Sequence, residues 1–394
     1  MSEHLAVQDV TRRDRDLSAG APVEVPIELA QNHVYVPVTV GDMPLWFVLD
    51  TGAGYTLLDL SRAKGRPGVT LGPTFEIRGG GAGSTEGAQL SGVSLRLRHD
   101  SDSPPLPVVM AMDLASLSAS AGRRMDGILG FDFISRYVIE LDYGAACMRL
   151  HAPATFRYSG PGARIPIRMV LNHPHVDAEL EFADGGRVKG DFVIDVGSRR
   201  AVALCRPLVD REGLRSRVGP TVYRPAGTGV GGEVWADVGR ATRLRIGDAT
   251  VEQPTVHLFG DSSGVFSTSQ YFEGNIGGEV LRTFRVFLDY PRSAIILEPR
   301  DHADLFEIDM SGTTYVWEAK ARGMRVTHVL PNSAAADAGM QIDDVIVRVD
   351  DREAEDVGIT TLDALFRRDA TTVGLTVVRD LEQRDVSIRL RRLV

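Results

Sequence analysis

The first 300 residues of this chain repeat themselves, and that repetition limits the folds open to it. Val25-Pro26-Ile27-Glu28-Leu29 with Asn32-His33 returns as Ile165-Pro166-Ile167-Arg168-Met169 with Asn172-His173. Phe47-Val48-Leu49-Asp50-Thr51-Gly52-Ala53 returns as Phe192-Val193-Ile194-Asp195-Val196-Gly197-Ser198. Gly127-Ile128-Leu129-Gly130, followed by Tyr137 to Tyr143, returns as Gly274-Asn275-Ile276-Gly277, followed by Arg285 to Tyr290. The separations are 140, 145 and 147 residues. Three ordered segments at nearly constant spacing mark a duplicated unit. The growth between the first two spacings fits a longer turn around Ala183 to Lys189. Two-fold pairing of two such lobes sets the two Asp-x-Gly turns face to face.

The repeated unit reads as β-structure. Short β-branched runs recur, among them Val34 to Val40, Trp46 to Leu49, Val93 to Leu97, Tyr137 to Leu141 and Ile194 to Leu204, and Gly, Pro, Asn and Asp punctuate them. Helical spacing is scarce before residue 300; the candidates are Ala111 to Ala121, Phe131 to Arg136 and Arg206 to Arg217. The 394 residues suggest two to three domains. The expected division is a polar arm at 1–21, lobes at 22–156 and 157–307, and a separate domain at 308–394.

A net charge of −9 without a basic block argues against a nucleic-acid partner. Apolar runs such as Leu45 to Leu49 are far short of a transmembrane helix. Met1 to Gly20 has no apolar core and does not read as a secretory signal. The compartment stays open: cytoplasmic for a complete chain, periplasmic or exported if an export signal has been removed. Two cysteines, Cys147 and Cys205, are too few for a disulfide scaffold and read as buried thiols.

An apolar strand ending in Asp-Thr-Gly-Ala puts a carboxylate at a tight turn, where glycine permits close backbone approach. A single Asp-x-Gly also serves as a plain turn. Two at matched places in a duplicated unit point to paired carboxylates, which share one proton at intermediate pH. The ionised member can deprotonate a water and the protonated member can hydrogen-bond a carbonyl oxygen.

With these motifs, the stretch from about 22 to 300 resembles the retropepsin/pepsin superfamily of aspartic proteases. Phe47 to Ala53 is similar to its active-site motif, and Gly127 to Gly130 to its later apolar-apolar-Gly element. The Gly-rich segments Gly79-Gly80-Gly81-Ala82-Gly83-Ser84 and Gly227-Thr228-Gly229-Val230-Gly231-Gly232 resemble flaps, one per lobe. The resemblance implies a mainly β, bilobal fold of acid-protease barrels. It implies a catalytic dyad of Asp50 and Asp195, with Thr51, Gly52, Ala53, Val196, Gly197 and Ser198 supporting the turns. Flap residues Gly80 to Ser84 and Gly229 to Gly232 are expected to cover an extended peptide, and Trp235 to line a subsite or pack near the lobes. No metal or organic cofactor is implied.

Two features depart from the family pattern. Val196 stands where Thr or Ser is usual, which removes one hydroxyl from a cross-lobe hydrogen-bond pair; such a bond is worth on the order of 1 kcal/mol. The first flap lacks a Tyr, leaving Ser84 and Thr85 as its polar residues. The expected function is an aspartic endopeptidase. The rival is a peptide-binding adaptor whose lobes have lost chemistry.

Character changes near residue 308. Gly323 to Val329 reads as a strand; Ser333 is a good helix cap and Gly339 a good helix end. Asp343 to Asp350 reads as turn and strand, Thr361 to Arg368 as helix, and Val373 to Val378 and Val386 to Leu390 as strands. This order resembles a small α+β PDZ domain of bacterial type, a module that adds an extended peptide to a strand edge beside a helix. The implied groove lies between Gly323, Met324, Arg325 and Val326 on the strand and Leu362 and Phe366 on the helix. Backbone N–H groups near Arg322 and Gly323 are expected to hold a terminal carboxylate. In the alternative the groove docks on the lobes. Of the lesser signals, His173-Pro174-His175 reads as a hairpin turn rather than a metal site. Asp142 and Asp289 read as structural turns.

Overall fold

Three antiparallel-rich sheets carry the duplicated region and a fourth carries the C-terminal domain. The computed structural model describes residues 22–98, 105–260, 264–300 and 306–394. The polar arm expected at 1–21 lies outside the described residues.

Each lobe holds one ten-stranded sheet with the same strand plan. In the first, His33–Val40 pairs with Met43–Leu49, which runs parallel to Gly127–Leu129. In the second, His173–Glu181 pairs with Arg187–Asp195, which runs parallel to Gly274–Gly277. The strands of the second hairpin are longer, and Phe182 to Gly186 closes the extended turn. The apolar run Ile194 to Leu204 is not one strand. It ends one strand at Asp195 and resumes as Val202–Leu204, because the Asp195 turn intervenes.

A six-stranded sheet joins the lobes. Its central pair is Val138–Asp142 against Phe284–Asp289, with Glu140 opposite Phe287, Ile139 opposite Leu288 and Leu141 opposite Val286. Glu140 and Phe287 are counterparts in the repeat, so the pseudo-two-fold axis passes between them. Ile139, Leu141, Val286 and Leu288 are all fully buried there. Each contributes on the order of 1.5–3 kcal/mol by leaving water. Sheet pairing and apolar burial thus fix how the lobes face each other.

Helices are few and short. The helix expected from Ala111 is delayed to Ala115–Ala121, since Met110–Met112 pairs with Leu57–Asp59 as a strand. Arg206 to Arg217 forms two helices, Arg206–Arg211 and Leu214–Arg217, broken at the left-handed Gly213. Asp142 accepts from Gly144 and Ala145 N–H at 3.1 and 3.0 Å, as a turn residue does. Cys147 and Cys205 are free thiols, the first half-buried and the second buried.

The C-terminal domain is a sheet in the order Thr313–Glu318, Gly323–Val329, Val345–Val349, Thr372–Arg379, Glu382–Arg389. Ser333 caps Ala334–Asp337 through Ala336 N–H. The helix Ala354–Phe366 contains a non-helical Gly358, so its continuous part begins after that residue. Among the described residues no helix is long and apolar enough to cross a membrane.

Candidate active site

The two Asp turns meet because each Asp strand is held by a parallel neighbour. Asp50 N–H donates to Leu129 O at 3.0 Å, and Asp195 lies opposite Gly277. A Cβ on Gly52 would lie 2.9 Å from Asp195 Oδ1, and one on Gly197 2.6 Å from Asp50 Oδ2. Each turn glycine therefore sits under the other lobe's carboxyl group, and only the absence of a side chain lets the turns approach this closely.

The two carboxyl groups are close enough to interact, and their surroundings differ. Asp50 is held well above the usual carboxylate range, first by burial and then by the charge of Asp195. Asp195 is also raised by burial, but donors oppose that effect. Asn275 Nδ2 donates to its Oδ2 at 2.7 Å and Ser198 N–H to its Oδ1 at 3.0 Å. On Asp50 the corresponding support is Gly52 N–H on Oδ1 at 2.7 Å. The lobe-one counterpart of Asn275 is Ile128, which cannot donate. The extra amide favours the charged form of Asp195 over that of Asp50. The sequence signal for Asn275 is that it alone is polar between the glycines of the repeated Gly-x-x-Gly segments.

Cross-lobe hydrogen bonds hold the turns together. Thr51 Oγ1 donates to Ile194 O at 2.6 Å and accepts from Val196 N–H at 2.9 Å. Val196 is fully buried and returns no such bonds from its side chain. Thr51 nevertheless keeps both of its own, so half of the pair survives. A second, symmetric brace was not anticipated. His33 Nε2 donates to Gly197 O and His173 Nε2 to Gly52 O, each at 3.0 Å. Beside them Asn32 Nδ2 donates to Arg199 O at 2.8 Å and Asn172 Nδ2 to Gly54 O at 3.4 Å. The repeated Asn-His dipeptide was the available signal. Its role depends on the exchange of turn partners between lobes, which no local pattern encodes. His175 faces Asp191 at 3.0 Å instead of sharing a ligand with His173.

The carboxyl pair opens into a cavity of about 740 Å³. Met110, Met112, Leu117, Met125 and Ile128 line its lobe-one side, and Val265, Phe266, Tyr271 and Phe272 its lobe-two side. The hairpins Thr70–Ile77/Thr85–Ser91 and Val222–Gly229/Gly232–Arg240 carry the Gly-rich segments over it. Their tips bond to each other: Gly81 N–H to Val230 O and Gly83 N–H to Gly231 O, both at 2.8 Å. Gly80, Gly229 and Val230 face the cavity, while Ala82, Gly83 and Ser84 are exposed at the tip. Gly231 and Gly232 form the other tip, with φ of 94° and 116°. Trp235 does not line the cavity. It packs on Tyr223 and, at 5.0 Å between ring centroids, on His328 of the C-terminal domain, because strand alternation turns it to the outer face of its hairpin.

The groove expected in the C-terminal domain is corrected by the strand order. Gly323–Val329 is an interior strand, paired with Thr313–Glu318 on one side and Val345–Val349 on the other, so it offers no free edge. Met324, Val326, Leu362 and Phe366 are buried core, and Arg325 is tied to Glu318 at 2.9 Å. Gly323 is matched with Glu318 in the ladder and Arg322 N–H bonds Ala319 O, so neither holds a ligand carboxylate. On that side the sheet ends at Thr313–Glu318, whose outer edge is unpaired. It faces a second cavity of about 740 Å³ shared with the helix residues Ile359, Asp363 and Arg367 and with the lobes. Helix Ala115–Ala121 packs on that edge strand, Gln31 bonds Asp363, and Arg367 pairs with Glu279 at 3.0 Å. The peptide-addition face is thus turned toward the lobes.

Two pseudo-symmetric β-lobes, each giving one aspartate to a shared cavity beneath paired hairpins, define the bilobal acid-protease class of fold. Comparison with protein families agrees: residues 36–133 match the aspartyl protease model and residues 300–390 the PDZ domain model. The chain carries an aspartyl protease domain followed by a C-terminal PDZ domain. The first match takes in Asp50, the first flap and Gly127 to Gly130; Asp195 lies outside it. No curated protein matches the chain.

Proposed function

We propose that this protein is an aspartic endopeptidase whose catalytic pair is Asp50 and Asp195. The observation that carries the reading is the close approach of two buried carboxyl groups, each beside the other lobe's turn glycine, with an extra amide donor on Asp195 alone. Asp195, supported by Asn275 and Ser198, acts as the base that takes a proton from a water. Asp50, held in the acid form, donates to the carbonyl oxygen of the peptide bond under attack. As the tetrahedral intermediate collapses, the proton gained by Asp195 passes to the leaving amine and one hydroxyl of the intermediate returns its proton to Asp50, restoring both groups.

The bonded hairpin tips close the cavity and exclude solvent, so substrate entry requires them to part. Apolar walls on both sides favour bulky side chains flanking the cut. The PDZ domain supplies a peptide-binding module, here packed against the lobes.

Incubation of the purified chain with a diverse peptide library across pH, with cut sites read by mass spectrometry, tests the proposal. Discrete cleavage that vanishes in Asp50→Asn and Asp195→Asn, and is blocked by a pepstatin-type transition-state mimic, is the expected result. Unchanged cleavage in both variants would reject the assignment. Tight peptide binding without turnover would instead favour the adaptor.

A further inference from the structure

Immediately after the second Asp turn the chain places two arginines side by side, Arg199 and Arg200, and both line the carboxyl-pair cavity. Their ends converge. A Cβ on Gly227, at the base of the second flap, would lie 3.2 Å from Arg199 Nη2 and 3.4 Å from Arg200 Nη2. Bringing two like charges this close in a desolvated site is unfavourable without a counter-ion. Yet neither guanidinium forms an ion pair among the described residues. Arg199 donates from Nη1 to Gln31 Oε1 at 2.6 Å and Ser120 O at 3.3 Å, and from Nη2 to Ser120 Oγ at 3.0 Å. Arg200 donates only through Nε, to Ala226 O at 2.8 Å, with its guanidinium over the Phe259 ring. Neither terminal nitrogen of Arg200 donates to a described residue.

The nearby carboxylates act on the pair only from beyond ion-pair distance: Asp195 on Arg200, and Asp363, in the second cavity that both arginines also line, on Arg199. The acidic residues lining the carboxyl-pair cavity are Asp50 and Asp195 themselves, and its third arginine, Arg78, already faces Glu76 at 3.3 Å. Burial and then the charge of Arg199 push the Arg200 guanidinium down to about 10, although the charge of Asp195 opposes them, so the cation is only partly compensated. The repeat adds a side to the asymmetry: the lobe-one counterparts of Arg199 and Arg200 are Gly54 and Tyr55, which carry no charge at neutral pH.

We propose that Arg199 and Arg200 form a carboxylate-binding subsite that makes this enzyme select peptides bearing an acidic residue on one side of the cut. This rests on the endopeptidase reading. Two guanidiniums can grip a carboxylate by several charge-assisted hydrogen bonds, and the convergence at Gly227 preorganises them. Bulky apolar residues fill the Met-lined and Phe-lined walls, while the acidic side chain occupies the arginine side alone.

The test uses the full chain and matched synthetic peptides. A cleaved sequence from the library is remade with Glu, Gln or Lys at the position showing acidic enrichment, each with a free or an amidated C-terminus. The wild-type chain is expected to give kcat/KM at least about tenfold higher for Glu than for Gln, with Lys lower still, and the preference should shrink with added salt. Amidation should leave the preference intact, since a side-chain carboxylate is the ligand. A preference that follows the free C-terminus instead would overturn the side-chain assignment. Arg200→Gln should erase most of the Glu preference while still cleaving the Gln peptide.

Binding to the Asp50→Asn chain separates the two proposals. Cleavage with equal rates for Glu and Gln rejects the subsite and leaves the endopeptidase standing. Tighter binding of the Glu peptide with no cleavage by wild type rejects the endopeptidase and keeps the subsite. Neither cleavage nor selective binding rejects both.

Discussion

Thr51 reaches across the lobe boundary to hold Val196: its hydroxyl accepts from Val196 N–H at 2.9 Å and donates to Ile194 O at 2.6 Å. One lobe thereby fixes the backbone of the other at the residues flanking Asp195. Thr51→Val keeps the shape and removes both bonds. Leaving a buried N–H and C=O unmet costs about 1–3 kcal/mol. Urea unfolding should show that loss, and turnover should fall although both carboxyl groups remain.

The converse change is Val196→Thr. By the two-fold relation of the lobes, a hydroxyl at 196 faces Leu49 O as that of Thr51 faces Ile194 O. We expect a gain of about 0.5–1.5 kcal/mol, the net worth of one hydrogen bond. A raised unfolding midpoint with unchanged denaturant dependence would confirm it; a lowered one would show that the site accepts only an apolar side chain.

Asn275→Leu removes the donor on Asp195 Oδ2. The hydrogen bond favours the ionised carboxylate, so its loss raises the Asp195 pKa. A base with a raised pKa needs higher pH to be free, and the acid limb of the pH–rate profile should therefore move upward. An unmoved limb would remove Asn275 from the proton arrangement.

Acid stability follows from His33. Burial, with the charge of Arg199, lowers it from 6.5 to about 3 in the folded chain, and its Nδ1 has no partner. Between those values the unfolded chain binds a proton that the folded chain refuses. Stability is thus lost as pH falls below about 6.5, by up to about 5 kcal/mol near pH 3. Buried His257 is shifted in the same direction. Urea midpoints compared at pH 7 and pH 4 should drop sharply, and His33→Gln, which retains a donor for Gly197 O, should lessen the drop.

Gly81→Ala tests the flap contact. Gly81 lies against the backbone of Gly231 and Gly232, with its added Cβ 2.7 Å from Gly232 O. The tips could not close as they do, and kcat/KM should fall by about tenfold or more if closure excludes water from the reaction. Thermal unfolding should change little, because the tip carries no core residues.

Much of this protein was legible in its sequence. The matched spacing of Asp50 and Asp195 announced two lobes and a carboxyl pair, since a duplicated strand plan places equivalent residues at equivalent depths. Ser333 announced a helix start for the same local reason. Trp235, open between a subsite and packing, packs outside the cavity, because the face its strand turns to the cavity is set by pairing with Val222–Gly229 rather than by its own neighbours. The PDZ groove was misplaced because Gly323–Val329 and Thr313–Glu318 both read as strands. Nothing in either run says which one ends the sheet.

Local pattern alone determined the strands, the turns and the symmetry, because each depends on residues close together in the chain. Only the tertiary structure decided the partners. Asn275 against Asp195, His33 against Gly197 and the convergence of Arg199 with Arg200 at Gly227 are set by how sheets pack and by which charges share one cavity. Those are long-range energies, summed over surfaces that no short segment contains.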